Sequence, residues 1–235
     1  HVDAHDKVTG ELLRSYLTGE FKVQALDLPD ADAATAEAEA DIRRSMDDLS
    51  RWIEDDVDVV AELGCGYGHN IFLLHEISAQ RRFRYLAATY TEASRRICQR
   101  IAGFLPEARI DVAFVDHKDL NTAVFESPEK AVVFTCHSLE QVNLLPETYF
   151  RRLAKVAPKV RGVHMEPFGF QLDQSTAAAK HHKEWFEGKG WNVNLYERVR
   201  EAERDGLIEI LELELNKYYP QPNNPISVVV WEATN

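Results

Sequence analysis

Three glycines spaced two residues apart, with a carboxylate just ahead of them, mark the first place where residue type and spacing suggest chemistry. The run AELGCGYGHN puts Glu62 before Gly64, Cys65, Gly66 and Gly68, at the end of an apolar stretch and the start of a helical one. Glycine permits positive φ, and its missing side chain lets a ligand approach the backbone. An anionic side chain beside such a turn suits a cationic ligand better than a pyrophosphate. The spacing differs from the GxGxxG of dinucleotide sites, and Gly68-His69-Asn70 lacks the Gly-Lys-Ser/Thr ending of a phosphate cradle. Groups able to move a proton follow two later apolar runs. His137, Ser138 and Glu140 come after AVVFTC, and His164, Glu166 and Phe168 lie in VHMEPFGF. Imidazole titrates near neutrality, which makes His137 a candidate base. Glu166 could pair with a substrate amine, or equally be a strand-end carboxylate bonded to neighbouring backbone. His137, His164 and Glu166 have the types of a two-His, one-carboxylate metal set, but the spacing carries no metal signature and no metal is expected. His181 and His182 read as the solvated face of a polar helix.

These groups need elements to hold them. Strand-like apolar runs occur at 57–63, 83–89, 110–115, 131–136 and 160–165. Between them, 69–80, 91–104, 118–126 and 146–157 have mostly helical spacing. Alternation of near-continuous apolar strands with helices implies an α/β protein with a parallel sheet covered on both faces. The end breaks that rhythm. LIEILELELNKYYPQPNNPISVVVWEA holds two strand-like runs joined by a turn rich in Pro and Asn, so the chain should finish in a hairpin with an antiparallel last strand. Residues 1–56 differ again: Leu12, Leu13, Tyr16 and Leu17, and later Ile42, Met46, Leu49 and Ile53, step at helical intervals. They are expected to form an N-terminal helical extension, lying over the site as a lid, ahead of a catalytic domain at 57–235.

Composition narrows the partners. The 235 residues carry 39 acids against 27 bases, a formal charge of −12, and no run of Lys or Arg. A nucleic-acid partner is therefore not expected. No apolar run has membrane-spanning length, and HVDAHDKVTG lacks the pattern of a signal peptide; the start at His1 reads as a trimmed end. Three scattered cysteines without a CxxC pair suit free thiols in the cytoplasm.

AELGCGYG resembles the first motif of the class I S-adenosylmethionine (SAM)-dependent methyltransferases, an acidic residue followed by GxGxG. The resemblance covers residues 57–235, including the terminal hairpin. It implies a Rossmann-like seven-stranded sheet in the order 3-2-1-4-5-7-6, with SAM as cofactor and S-adenosylhomocysteine (SAH) as product. It implies further that Glu62 helps hold the cofactor's ammonium, with the backbone of Gly64, Cys65, Gly66 and Gly68 against its amino acid and ribose. Asp116 stands where an acidic residue accepts a hydrogen bond from the adenine amine, and His117 would line the same pocket. The residue-level alternative for Asp116 is a helix cap. Thr89 occupies the place of the usual ribose-gripping carboxylate, so Glu92 could share that task and Tyr90 could stack on adenine. The tips of the fourth and fifth strands would face the methyl group, giving His137 and Glu166 catalytic roles and placing His137 beside the cofactor.

The expected function is methyl transfer from SAM to a small molecule such as an amino acid, sugar or secondary metabolite, in a biosynthetic setting. TCHSLEQV stands where amino-methylating nucleic-acid enzymes carry Asp/Asn-Pro-Pro-Tyr/Phe. Trp185, Trp191, Tyr196, Tyr218 and Tyr219 are candidates for a substrate wall. Two alternatives stay open: another SAM-consuming displacement, giving methylthioadenosine, and a non-catalytic SAM-binding module. The sequence also leaves a homodimer open.

Overall fold

The computed structural model describes residues 31–78, 81–219 and 223–234, with side chains from residue 40 onward. The helical spacing at 12–17 therefore lies outside the described residues. Among the described residues there are seven strands: β1 (Val59–Leu63), β2 (Arg84–Thr89), β3 (Ile110–Phe114), β4 (Lys130–Cys136), β5 (Lys159–Glu166), β6 (Ile208–Tyr218) and β7 (Ile226–Ala233). They form one sheet in the order β3-β2-β1-β4-β5-β7-β6. The first five pair in parallel, whereas β7 is antiparallel to both β5 and β6. This is the order that the glycine motif implied.

Alternation along the strands explains the two buried faces. Val59, Ala61 and Leu63 of β1 point to one side and Val60 to the other, and all four are buried. The first side packs against α4 (Tyr149–Leu153) and α7 (Leu195–Arg204), through Tyr149, Phe150 and Leu153 and through Leu195, Val199 and Ala202. The second side packs against α1 (Ala31–Arg51), α2 (His69–Ile77) and α3 (Glu92–Ala102). Thr91 starts α3 by accepting the Ser94 N–H at 3.1 Å. Two further helices, α5 (Gly169–Leu172) and α6 (Ala177–Lys189), follow β5.

Met46, Leu49 and Ile53 belong to the core of the second side. The described part of the N-terminal extension is thus built into the sheet's packing. Higher on α1, Asp48 accepts from the Tyr218 hydroxyl at 2.5 Å and Asp41 from the Tyr219 N–H at 2.6 Å. The helix expected at 118–126 is reduced to a 3-10 turn at Thr122–Phe125. Asp116 and Asn121 take the N–H groups of Lys118 and Ala123 at 2.8 and 3.1 Å, and these local bonds compete with a continuous helix.

Candidate active site

The carboxyl ends of β1, β2, β4 and β5 gather the residues singled out above. After Leu63 the chain turns through Gly64, Gly66 and Gly68 at φ of +86°, +54° and +89°. The N–H groups of Gly64 and Cys65 both donate to the Ala88 carbonyl, at 2.7 and 2.9 Å, which ties the turn to β2. The glycines serve different ends. A Cβ on Gly64 would lie 2.3 Å from the Ser138 Cβ and 3.1 Å from His117 Nε2, so this glycine lets three loops converge. A Cβ on Gly66 would meet nothing within 4 Å, so the backbone there is open to an incoming molecule.

Glu62 is 1% exposed. Its Oε1 accepts from Asn70 Nδ2 at 2.6 Å, while Oε2 is buried without a protein partner. Burial, with the nearby Glu166 charge adding to it, pushes its carboxyl up to about 8. A buried carboxylate with one unsatisfied oxygen is a seat for a cation or a donor. Cys65 contributes backbone only: its side chain is a free thiol buried in the second core, where a hydrogen bond with the Cys98 thiol and desolvation push it up.

The tip of β4 is held from two sides. Ser138 Oγ donates to the Leu63 carbonyl at 2.8 Å. Glu166 accepts the N–H groups of Ser138, Leu139 and Glu140 at 3.1, 3.1 and 3.3 Å. This corrects the expected role of Glu166. Its two oxygens cap the 3-10 turn Leu139–Gln141 and are taken up by the backbone, so it organises the loop and is not aimed at a substrate. Burial raises its carboxyl to about 7, Glu140 adding to the effect. The Gln141 side chain donates to the His137 carbonyl at 3.3 Å.

His137 sits at φ +51°, a left-handed conformation that costs a non-glycine residue about 1–2 kcal/mol. Its Nδ1–H donates to Glu140 Oε2 at 3.2 Å, and its Nε2 is buried with no protein partner. Burial pulls the imidazole pKa down, but the Glu140 bond and the charges of Glu140 and Glu166 outweigh it, so the net shift is upward from 6.5. His117 is the opposite case. Burial lowers it to about 4, its Nδ1 lies 3.0 Å from the Tyr149 hydroxyl, and Nε2 is unpartnered near Gly64. Asp116 is half-buried, with Oδ1 bonded to the Lys118 N–H. At the β2 tip Thr89 is buried, while Tyr90 is 60% exposed with its ring 5.7 Å from that of Phe114. Glu92 faces away into ion pairs with Arg95 and Arg96.

His164 does not join this group. It is fully buried in the core, bonded to Thr135 Oγ1 at 3.0 Å and stacked on Trp231, and burial lowers it to about 3. His182 was expected on a solvated face. Instead it is half-buried against Phe170 and Phe186 and donates to Asn224 Oδ1 at 3.0 Å. Tyr218 is buried in the core; Trp185 and Tyr219 line a cavity of about 700 Å³ between α6 and the tips of β6 and β7. Trp191 packs on Trp185, and Tyr196 stacks on Phe168. Sequence reasoning missed Asn70, Phe114 and Asn224. Asn70, in the AELGCGYGHN run, and Asn224, in the Asn-rich turn, lay in stretches already marked as special.

No protein-family model matches the sequence, and no curated protein does. Solved structures do. Geranyl diphosphate C-methyltransferase from Streptomyces coelicolor A3(2), in complex with magnesium, geranyl diphosphate and SAH, aligns over 97% of this chain and 98% of its own at 12% identity and TM-score 0.56. Magnesium protoporphyrin IX methyltransferase from Synechocystis, with bound SAH, covers 84% and 86% at 13% identity and TM-score 0.58. A SAM-dependent methyltransferase from Aquifex aeolicus covers 88% and 94% at 12% identity and TM-score 0.53. The chain therefore has the fold of the class I SAM-dependent methyltransferases, with a glycine turn, a buried acid and an imidazole at the carboxyl edge of its sheet.

Proposed function

We propose that the protein transfers a methyl group from SAM to a small-molecule acceptor, with His137 as the base. The observation that carries this reading is the state of His137: Nδ1 is tied to Glu140, and Nε2 is buried and free of protein partners. A carboxylate on Nδ1 leaves Nε2 as the proton acceptor and stabilises the imidazolium once the proton arrives. Bound SAM would supply the electrophilic methyl on its sulfonium. The residues fit it: the orphaned Glu62 oxygen suits the ammonium, the open backbone at Gly66 suits the amino acid portion, and Tyr90 with Phe114 offers an aromatic face for adenine. Asp116 keeps one carboxylate oxygen for the adenine amine, His117 lines that side, and Thr89 takes the ribose end. The small-molecule assignment draws support from the cavity of about 700 Å³, walled by Phe170, Trp185 and Tyr219, and from the small acceptors named for the structural neighbours.

The test is a pH–rate profile of SAH release for wild type and His137→Asn, with SAM affinity measured by calorimetry. Turnover should fall by ~10²–10⁴ with affinity nearly unchanged. The wild-type rate should decline below a midpoint higher than 6.5, because protonated imidazole cannot accept. Matching profiles at comparable rates would remove His137 as the base. Methylthioadenosine in place of SAH would redirect the chemistry to another displacement.

A further inference from the structure

Glu140 Oε2 accepts two hydrogen bonds, from His137 Nδ1–H at 3.2 Å and from Asn224 Nδ2–H at 2.9 Å. Asn224 Oδ1 accepts in turn from His182 Nε2–H at 3.0 Å. The chain of contacts joins three segments far apart in sequence: the β4 tip, the turn before β7, and the middle of α6. Its inner members are buried, Glu140 at 8% exposure and Asn224 at 2%.

Each link has a fixed sense. A carboxylate only accepts, so the neutral imidazole of His137 must carry its proton on Nδ1 and present the lone pair at Nε2. A carboxamide can turn either end toward that carboxylate, and only the NH₂ end attracts it. The His182 N–H needs an acceptor, which holds Oδ1 on its own side and leaves Nδ2 for Glu140. The backbone of Glu140 is fixed separately, its N–H on Glu166 Oε2 at 3.3 Å and its carbonyl accepting the Asn192 N–H at 2.8 Å. What Asn224 adds is the direction of the Glu140 side chain. His182 also forms part of the wall of the 700 Å³ cavity, so the relay begins where the acceptor is proposed to sit.

Resting on the proposed role of His137, we infer that Asn224 is a positioning residue for the base, oriented by His182. It acts through Glu140 to hold His137 in the tautomer that can take a proton at Nε2. Neither residue touches the reacting atoms.

Nitrogen-resolved NMR of the imidazoles reads this directly, without SAM or acceptor, in wild type, Asn224→Leu, His182→Leu and His182→Gln. In the wild type, neutral His137 should be protonated on Nδ1. In Asn224→Leu the Nε2–H tautomer should appear, and His182→Leu should show it in part because the amide is free to flip. His182→Gln keeps an N–H donor and should restore the wild-type signature. Turnover in Asn224→Leu should drop at least about tenfold, the low end for an outer partner of a functional imidazole, with SAM affinity unchanged. If Asn224→Leu fails to fold, His182→Leu on the half-exposed α6 carries the test. An unaltered His137 tautomer in the folded leucine variants would overturn the positioning role, whatever His137 does in turnover. A shifted tautomer with undiminished turnover would uphold it and reject His137 as the base.

Discussion

The two edges of the sheet treat polar groups in opposite ways. At the amino edge the charged side chains are paired. Lys130 pairs with Glu54 and, at 2.6 Å, with Asp56; Arg161 pairs with Glu54 at 2.9 Å and with Glu232; and Arg81 donates to the carbonyls of Ser50 and Ile53 at 3.0 and 2.6 Å. At the carboxyl edge Glu62 Oε2, His117 Nε2 and His137 Nε2 are buried without protein partners. The same edge holds three positive-φ glycines and His137 in a left-handed conformation, a backbone state that Arg109, Glu126 and Ser127 share ahead of β3 and β4 at the amino edge. Buried polar groups left unsatisfied destabilise a fold, so a cluster of them persists where a ligand completes it. The amino edge closes the protein on itself, whereas the carboxyl edge is completed by something else, as the ligand rule for open α/β sheets requires.

The sharpest way to break this contrast lies inside the glycine turn, because Gly64 and Gly66 face different partners. Gly64→Ala would drive a Cβ to 2.3 Å from the Ser138 Cβ at a φ of +86°. Overpacking and left-handed strain together should cost about 2–4 kcal/mol in urea unfolding, and SAM binding should be lost. Gly66→Ala meets no protein atom within 4 Å, so only the backbone term applies, about 1–2 kcal/mol. Calorimetry should nevertheless show weaker SAM binding in the folded Gly66 variant. Equal stability losses with intact binding in both would mean that the turn is purely structural.

How far the sequence foretold this site depends on the range of each interaction. The glycine turn with its Glu62 was legible because local spacing carries it, and the strand order because that motif resembles the first motif of a family with this sheet. The role of Glu166 stayed open between a substrate partner and a strand-end carboxylate bonded to backbone, because the backbone partners that decide it lie 26 to 28 positions away. Ser138 spends its hydroxyl on Leu63, a partner 75 positions away. His182 looked solvated because α6 is polar in sequence, and only the fold brings Phe170, Phe186 and Asn224 to it. The missing helix at 118–126 was a local conflict, decided by two side chains that take backbone donors.

A middle-sized effect concerns Glu62. Its folded value of about 8 lies above its ordinary 4.5, so the folded state prefers the protonated form. That contribution is fully present below pH 4.5 and is lost as pH rises through about 8. The free protein should therefore lose stability across this window, by up to about 1.4 kcal/mol per pH unit while one such group titrates. Glu62→Gln should flatten the slope and weaken SAM binding, since the amide cannot neutralise a cation. Glu166, raised to about 7, should leave a residual slope of the same sign in that variant. Denaturant midpoints between pH 5 and 8.5 would check this; an unchanged slope would mean that Glu62 is ionised throughout.

The smallest effect belongs to the amino edge, where Lys130→Met removes one of the two cations that hold Glu54, the other being Arg161. The Lys130 side chain is 18% exposed and that of Glu54 49%, so solvent and mobile ions screen the pair. Loss of such a pair should lower stability by about 1 kcal/mol or less. The difference from wild type should shrink further in about 0.5 M salt, where the screening length falls to a few ångströms. Nothing at this edge contacts the glycine turn, so SAM affinity and the His137 titration should match those of the wild type. Two readings decide it. A small, salt-sensitive midpoint shift with unchanged calorimetry keeps the edges independent. A loss of SAM affinity in Lys130→Met would show that β4 transmits strain along its length from Lys130 to His137, and the division of labour between the edges would have to be given up.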